Sequence, residues 1–536
     1  MSKGFQQPSV MTTQEHFANA PAADIERSRF DRSHGYKTTL DSGNLVPIYI
    51  DEVLPGDTFT LNATAFARLA TPLKPFMDNL FLDVHYFFVP NRLVWDNFQK
   101  FMGERIDPDD DPNIYSVPQI QIPISTTAPT AADIDLAHAF GLPYVESAGG
   151  SNTLEVNALP FRAYNLIYNE WYRDQNLQDS VAVPKGDGPD LAGSDIEIGF
   201  LRRNKRHDYF TSCLPWPQKG DPVVIPLGER AEVEFDGEYP DRLIARNTSG
   251  VDRGFVASTS TGDEVRMMDG AYTGTGAKLF ANLADATAVT INSLRDAVQM
   301  QAFLEADARG GTRYIELILQ HFRVRSSDSR LQRPEFIGGG STRININPIA
   351  ATATDASIPQ GNLAAIGTAV GKAGFQKAFE EHGFVIGIAS IRADLTYQRG
   401  VERMWLRKSR YDYYWPEFAH LGEQSVFNKE LFYTGDPVVD NQTFGYQERY
   451  AEYRYKPSRI TGLFNSDAAA SLDFWHLSQD FGSLPALNSN FIEENPPVDR
   501  VIAVPSEPQF LMDVWFNLKC DRPMPTYSVP GLGSTL

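Results

Sequence analysis

The stretch from Pro47 to Pro90 leaves this chain few folds to choose from. In Asp57-Thr-Phe-Thr-Leu-Asn-Ala-Thr-Ala-Phe66, the apolar residues Phe59, Leu61, Ala63 and Ala65 alternate with Thr58, Thr60, Asn62 and Thr64. Successive side chains of a strand point to opposite faces, so the pattern predicts a strand with one buried and one wet face. Pro55-Gly-Asp57 ahead of it is turn chemistry. The second half, Leu80-Phe-Leu-Asp-Val-His-Tyr-Phe-Phe-Val89, is apolar at nearly every position. Leu80, Leu82, Val84, Tyr86 and Phe88 share one face; Phe81, Phe87 and Val89 share the other, interrupted by Asp83 and His85. A strand of that kind is covered on both sides and belongs inside a sheet. Thr71-Pro-Leu-Lys-Pro75, between the two, can join neither a ladder nor a helix. Together they predict an antiparallel sandwich or barrel.

Strand periods return far downstream. Phe384–Ile391 reads as a buried strand. Gln447–Lys456 sets Ala451, Tyr453 and Tyr455 against Glu452, Arg454 and Lys456, and Phe510–Lys519 sets Phe510, Met512, Val514, Phe516 and Leu518 against Asp513, Asn517 and Lys519. Strands near both ends, with helices and loops inserted between them, predict a jelly-roll-like topology. Helices are expected over Asn91–Gly103, Pro160–Gln178, Thr290–Arg309 and Arg313–Phe322. Gly338-Gly-Gly340 is expected to open a short strand, Ile344–Asn347, and the Ala-, Thr- and Gly-rich residues 350–374 to form a loop. Over residues 221–275 acidic residues outnumber basic ones 11 to 5 and the core signal fades, which predicts an exposed insertion. The division that follows is an extended arm at 1–29, a β core with inserted helices at 30–220, a variable insertion at 221–289, the rest of the core at 290–521 and a proline-rich tail at 522–536.

With 536 residues, 42% of them hydrophobic, the chain can bury a large core. Its net charge of −20 means that it meets nucleic acid, if at all, through local patches or a separate basic partner. Two cysteines, Cys213 and Cys520, are too few for a disulfide framework. Neither a signal peptide nor an apolar run of about 18 residues is visible, so no membrane insertion is expected. Asp107-Pro-Asp-Asp-Asp111 has the alternating carboxylates of a calcium loop but carries Pro112 and Pro118 where glycine and glutamate are needed. Gly338-Gly-Gly340 and Gly274-Thr-Gly-Ala-Lys278 lack phosphate-loop spacing, and neither Gly-x-Ser-x-Gly nor His-Glu-x-x-His occurs. No enzyme, cofactor or metal is expected. A carbohydrate-binding or carbohydrate-active β-sandwich is the rival from another class, but no carboxylate pair stands out to serve it.

Several long strings carry a resemblance. They include Phe30-Asp-Arg-Ser-His34, Asp51-Glu-Val-Leu-Pro-Gly-Asp-Thr58, Phe88-Val-Pro-Asn-Arg-Leu-Val-Trp95, Leu214-Pro-Trp-Pro-Gln-Lys-Gly220, Asp307-Ala-Arg-Gly-Gly-Thr-Arg-Tyr314 and Leu331-Gln-Arg-Pro-Glu335. Over nearly its whole length the chain resembles the major capsid proteins of gokushoviruses, small phages of the microvirus group. The resemblance implies an eight-stranded antiparallel jelly roll with large insertions. It implies sixty copies in a T = 1 icosahedral shell around circular single-stranded DNA, assembled in the host bacterial cytoplasm. A small basic internal DNA-binding protein and a minor pilot protein are the implied partners. The 221–275 insertion is similar in position to a loop that forms a threefold spike, the expected contact with a host surface receptor.

The chemistry that stands out is Tyr397–Trp415, where Arg399, Arg403, Arg407, Lys408 and Arg410 interleave with Trp405, Tyr411, Tyr413, Tyr414 and Trp415. Cations can neutralise phosphates while aromatic faces accept unstacked bases, at ~1–3 kcal/mol per base. The stretch is therefore expected to face the packaged genome, or to form a contact between subunits, where Arg, Tyr and Trp are also enriched. Arg202-Arg-Asn-Lys-Arg206 is a second basic cluster usable for intersubunit contacts.

Overall fold

The two strands read from the first ninety residues do not pair; they contribute opposite walls of one core. The computed structural model describes residues 26–107, 111–123, 134–143, 153–223, 291–350 and 363–527, plus the backbone of short strands between 233 and 281. The chain forms two compact units, Trp216–Gly311 and the remainder. In the larger unit nine strands make one antiparallel sheet: β1 (Ser28–Asp31), β2 (His34–Leu40), β3 (Val46–Val53), β4 (Thr58–Leu69), β5 (Leu80–Pro90), β6 (Glu335–Ala350), β7 (Leu363–Ala378), β8 (Gly383–Ala393) and β9 (Phe510–Arg522). Their order is β1–β9–β4–β7–β6–β5–β8–β3, with β2 also pairing β9. The first edge is thus split between two short strands, which gives nine strands where the jelly-roll expectation had eight.

The sheet curls so that inward residues of β4 and β9 (Phe59, Leu61, Phe516, Leu518) share one cluster with those of β5 and β8 (Leu82, Tyr86, Val385, Ile391). The alternation read from β4 holds: Phe59, Leu61, Ala63 and Ala65 are buried while Asn62, Thr64 and Phe66 are exposed. Termini meet here, since Phe59 pairs with Cys520 and Leu61 with Leu518. β5 is buried on both faces because a second core lies beyond it. Phe87 and Val89, with Phe384, Ile386 and Ile388 of β8, pack against α1 (Leu159–Ile167), whose Phe161, Tyr164 and Ile167 point at the sheet. Tyr164 Oη donates to Leu45 O at 2.7 Å, tying that helix to the approach to β3.

Five expectations for local structure need correction. Asn91–Gly103 is not one helix but a 3₁₀ turn at Asn91–Leu93 and a single α turn at Phe98–Phe101, because the Trp95 indole and the Asn97 amide both bind Asp187 between them. The helix expected to reach Gln178 ends with a π turn at Tyr168–Tyr172, and Asp174 then folds the chain back by accepting from Asn176 N. Gln447–Lys456 is a strand only to Glu448; Tyr450 takes φ +61° and Arg454 reaches back to Glu448 and to Arg449 O. Residues 363–374, read as loop, belong to β7, and the glycines at 338–340 lie inside β6. Small residues are needed there. A Cβ on Gly338 would sit 2.5 Å from Gly374 O, and one on Gly374 would sit 2.2 Å from Leu61 O. The two strands pass each other backbone to backbone, a fit that any side chain would block.

The polar interruptions of β5 are structural. Asp83 accepts from Arg203 at 2.8 Å, Arg392 at 2.9 Å and the Ser341 hydroxyl, and the Arg392 guanidinium lies over Phe81. Burial alone would raise the Asp83 pKa, but Ser341 and the two guanidiniums outweigh it and hold it below the ordinary carboxylate value. His85 Nδ1 meets Tyr172 Oη at 2.8 Å, and burial lowers its pKa.

The smaller unit contains α2 (Ile291–Arg309) and short strands, Asp252–Ala257 pairing antiparallel with both Arg242–Arg246 and Val265–Met267. α3 (Tyr314–Phe322) follows in the larger unit, near the boundaries the sequence predicts. The expected arm is described only from residue 26, and most of 221–275, Asp107–Asp111 and Gly274–Lys278 lies outside the described residues. Among the described residues no helix is long and apolar enough to cross a membrane.

Asp83→Asn strands Arg203 and Arg392 as buried cations, so it should cost about 3–5 kcal/mol at neutral pH, read as a lower urea midpoint. Because the native pKa of Asp83 is depressed, its stabilisation is present above the ordinary carboxylate pKa and is lost as pH falls through the native value. The gap between wild type and variant should therefore close on acidification below about pH 4.

Candidate nucleic-acid interface

Residues 397–415 run over a third core, built from Tyr209, Phe210, Tyr397, Val426, Leu431 and Phe444. Thr396–Tyr397 pairs in parallel with Ser458–Arg459, and three 3₁₀ turns (Arg403–Leu406, Arg410–Asp412, Pro416–Phe418) then fold the segment back and forth above the hairpin of Glu423–Phe427 and Thr443–Glu448. A segment so short of ladder partners holds its shape through side-chain bonds.

Those bonds divide the cations into two groups. Arg399 pairs with Asp467 and Asp480 and lies over Phe432. Arg403 binds Glu430 at 2.9 Å and Ser425 O at 2.7 Å. Burial works against its charge, but the Glu430 carboxylate outweighs this and raises the Arg403 pKa. Arg407 binds Glu452 at 3.3 Å between the rings of Tyr453 and Tyr413, 4.4 and 5.2 Å from their centroids. Arg403, Arg407 and Glu452 together wall off two hollows, one of about 190 Å³ lined by Met404, Tyr453 and Tyr455, the other of about 360 Å³ lined by Tyr411, Gln424 and Arg449.

Lys408 and Arg410 are different. Both are exposed, and neither makes an ion pair with a described residue. Arg410 lies over the Tyr411 ring and donates to its hydroxyl at 2.6 Å. Asp412 accepts from Lys408 N and Ser409 N, which fixes the turn that carries both cations and depresses its own pKa. Trp405 is 71% exposed, and Tyr411, Tyr413, Tyr414 and Trp415 are about half exposed. The exposed set is therefore two cations and five aromatic rings, while three of the five cations picked out by sequence are already neutralised within the chain. Their carboxylate partners lie 27 to 81 residues away along the chain, and no local spacing announces them.

Most of the second basic cluster is consumed inside the fold, while Arg206 is exposed with its guanidinium 5.9 Å from the Phe81 ring centroid. Arg202 donates to Glu494 O and Asn495, Arg203 to Asp83, and buried Lys205 to Gln479 and Phe491 O. Burial pushes the Lys205 pKa down to about 8. These residues stitch segments of one chain together. Among the described residues no cluster of His, Cys, Asp and Glu could hold a metal ion.

Residues 18–532 match the sequence profile of a family described as capsid protein (F protein). The chain is 45% identical to the capsid protein VP1 of Bdellovibrio phage phiMH2K, over 96% of this chain and 97% of that one. It is 43% identical to VP1 of Chlamydia phage 1, covering 99% and 100%, and 36% identical to VP1 of Spiroplasma virus 4, covering 95% and 96%.

Arg407→Ala should leave Glu452, itself only 11% exposed, without its cation and cost about 3–5 kcal/mol. Lys408→Ala should stay within about 0.5 kcal/mol of wild type, as expected for a solvated side chain. Urea denaturation of the two variants side by side checks the contrast.

Proposed function

Since the chain belongs to the capsid protein (F protein) family of microviruses and is a structural protein of a phage virion, we propose that sixty copies of it close into a T = 1 shell around circular single-stranded DNA. The match to gokushovirus capsid proteins over nearly the whole chain carries this reading. The jelly-roll-like β architecture supports it, because a rigid body with long inserted segments can present several distinct surfaces to neighbours. A chain of net charge −20 does not by itself neutralise a genome, which favours a small basic DNA-binding protein inside; a minor pilot protein is a further component that the family resemblance implies. Assembly takes place in the cytoplasm of the bacterial host. The 221–275 insertion attaches the particle to a host receptor. A long acidic segment with little core signal in its sequence can vary without cost to a fold.

Within this shell Lys408 and Arg410, with Trp405, Tyr411, Tyr413, Tyr414 and Trp415, contact the genome. Arg399, Arg403 and Arg407 shape the surface from behind. Their paired charges leave little to offer a phosphate.

Electron microscopy of the purified protein should show closed shells; a chain that stays monomeric under every packaging condition overturns the capsid reading for this polypeptide. Lys408→Glu/Arg410→Glu should give particles with reduced DNA content. Normal DNA content in assembled variant particles would remove the genome role and assign the surface to contacts between copies. Exchanging residues 221–275 between relatives should transfer host range, and unchanged host range would exclude that segment from attachment.

A further inference from the structure

The principal sheet has two outward faces, and the described residues cover only one of them. Beyond β5 and β8 lie α1 and the second core. On the opposite half, the outward side chains of β4, β7 and β9 remain in solvent: Thr64, Phe66 and Arg68; Val370 and Lys372; Leu511 and Trp515. Trp515 is 56% exposed and Phe66 43%. The register makes them one patch. Thr64 stands between Lys372 and Trp515, Phe66 between Val370 and Asp513, and Arg68 between Thr368 and Leu511. Trp515 and Phe66 are thus diagonal neighbours, about 7–8 Å apart.

Two features of the patch bear on what it binds. Trp515 pairs with Gly35 of β2, and its six-membered ring sits 3.5 Å from where a Cβ on Gly35 would be. The indole is therefore supported from below on an edge strand that has no side chain to displace it. Arg68 and Lys372 flank the rings and make no ion pair with any described residue, and the nearby Asp513 is engaged by Lys37 at 3.3 Å. Uncompensated cations around exposed rings are unexpected on a chain of net charge −20. A purely apolar partner would leave those cations unmatched. A polyanion with stackable bases satisfies both features, since rings accept bases of any sequence and cations take the phosphates.

We propose that the open face of β9, β4 and β7 is a platform for single-stranded DNA, with bases stacking on Trp515 and Phe66 and phosphates neutralised by Arg68 and Lys372. The platform rests on the reading of the chain as a shell around single-stranded DNA, and it lies on different strands from the Tyr397–Trp415 surface. Its rings stand on central and near-edge strands of the sheet, so little ordering is needed on binding.

Particles carrying 5-bromouracil in their DNA, irradiated and digested, should yield cross-links to the peptides that contain Phe66 and Trp515. Trp515→Thr, a substitution that suits an exposed strand position, should reduce cross-linking at both peptides and weaken binding of a thymidine oligonucleotide to the full-length chain about tenfold. Arg68→Gln/Lys372→Gln should flatten the slope of log affinity against log salt by about 1.4, the share of two phosphate contacts on a single strand. DNA-filled wild-type particles whose cross-links avoid both peptides would overturn the platform and leave the capsid reading intact. Variants that form no particles, with wild-type cross-links still absent from this face, would make the patch a contact between copies and also overturn it. Wild-type protein that never encloses DNA would defeat both readings together.

Discussion

Everything in the larger unit depends on β5 being covered on both sides. Its inward face (Leu82, Tyr86, Phe88) looks across the sandwich to β4 and β9, and its outward face (Phe87, Val89) needs a layer that the sheet itself does not provide. Large aromatic side chains hide on the order of 150–250 Å² each, which at ~25 cal/mol per Å² is roughly 4–6 kcal/mol per ring before entropy is charged. Leaving Phe87, Trp95, Phe161 and Tyr164 in water would forfeit more than the net stability of an ordinary domain. The inserted segment that contains α1 is therefore part of the fold, and the long chain between β5 and β6 carries core as well as surface.

The same two-sided burial explains the polar chemistry inside. A carboxylate in the middle of such a strand is costly alone, and Asp83 is kept by two arginines and a serine drawn from three other segments. Arg162 does the same in the second core, making a bidentate pair with Asp190 and donating to the carbonyls of Val94 and Gly186. Arginine is used repeatedly in this way, as an internal fastener between segments far apart in the chain. A count of basic residues along the sequence therefore overstates the charge available to a partner, and the overstatement is greatest where arginines are densest.

This bears on what could be read from the sequence. Strands with one wet face are legible in the sequence, their starts to within one residue and their ends to within three: Thr58–Leu69 and Phe510–Arg522 announce themselves by contrast between alternating positions. Leu363–Ala378 is not, because Ala, Gly and Thr offer little hydrophobic contrast. Its small residues are there for the close passage of Gly338 and Gly374, a long-range requirement that no local window contains. Helix α2 is legible from its stop at Gly310-Gly311, and α3 from the apolar residues Tyr314, Ile315, Leu317, Ile318 and Leu319. At the candidate surface the sequence shows which residue types gather over 397–415. It could not tell Arg403 and Arg407, held by Glu430 and Glu452, from Lys408 and Arg410, which are left to solvent.

An asymmetry between the two halves of the sheet gives the shell reading its mechanical sense. A capsid subunit needs surfaces of at least two kinds: some committed to neighbours of fixed geometry and some able to accept a flexible polymer in many arrangements. Fixed geometry favours inserted helices and loops, whose shape can be matched precisely and whose length can change without disturbing strand register. A polymer without regular structure is better met by a flat, rigid face carrying a few rings and cations, because stacking and phosphate neutralisation tolerate any sequence. The insertions between β5 and β6 cover one half of the sheet, while no described residue covers the outward face of β9, β4 and β7. Among the described residues that face is bare, although Phe66 and Trp515 would gain from burial. Exposing large apolar rings beside unpaired cations lowers the stability of the free subunit, and the arrangement makes physical sense when those groups meet their partner only in the assembled particle.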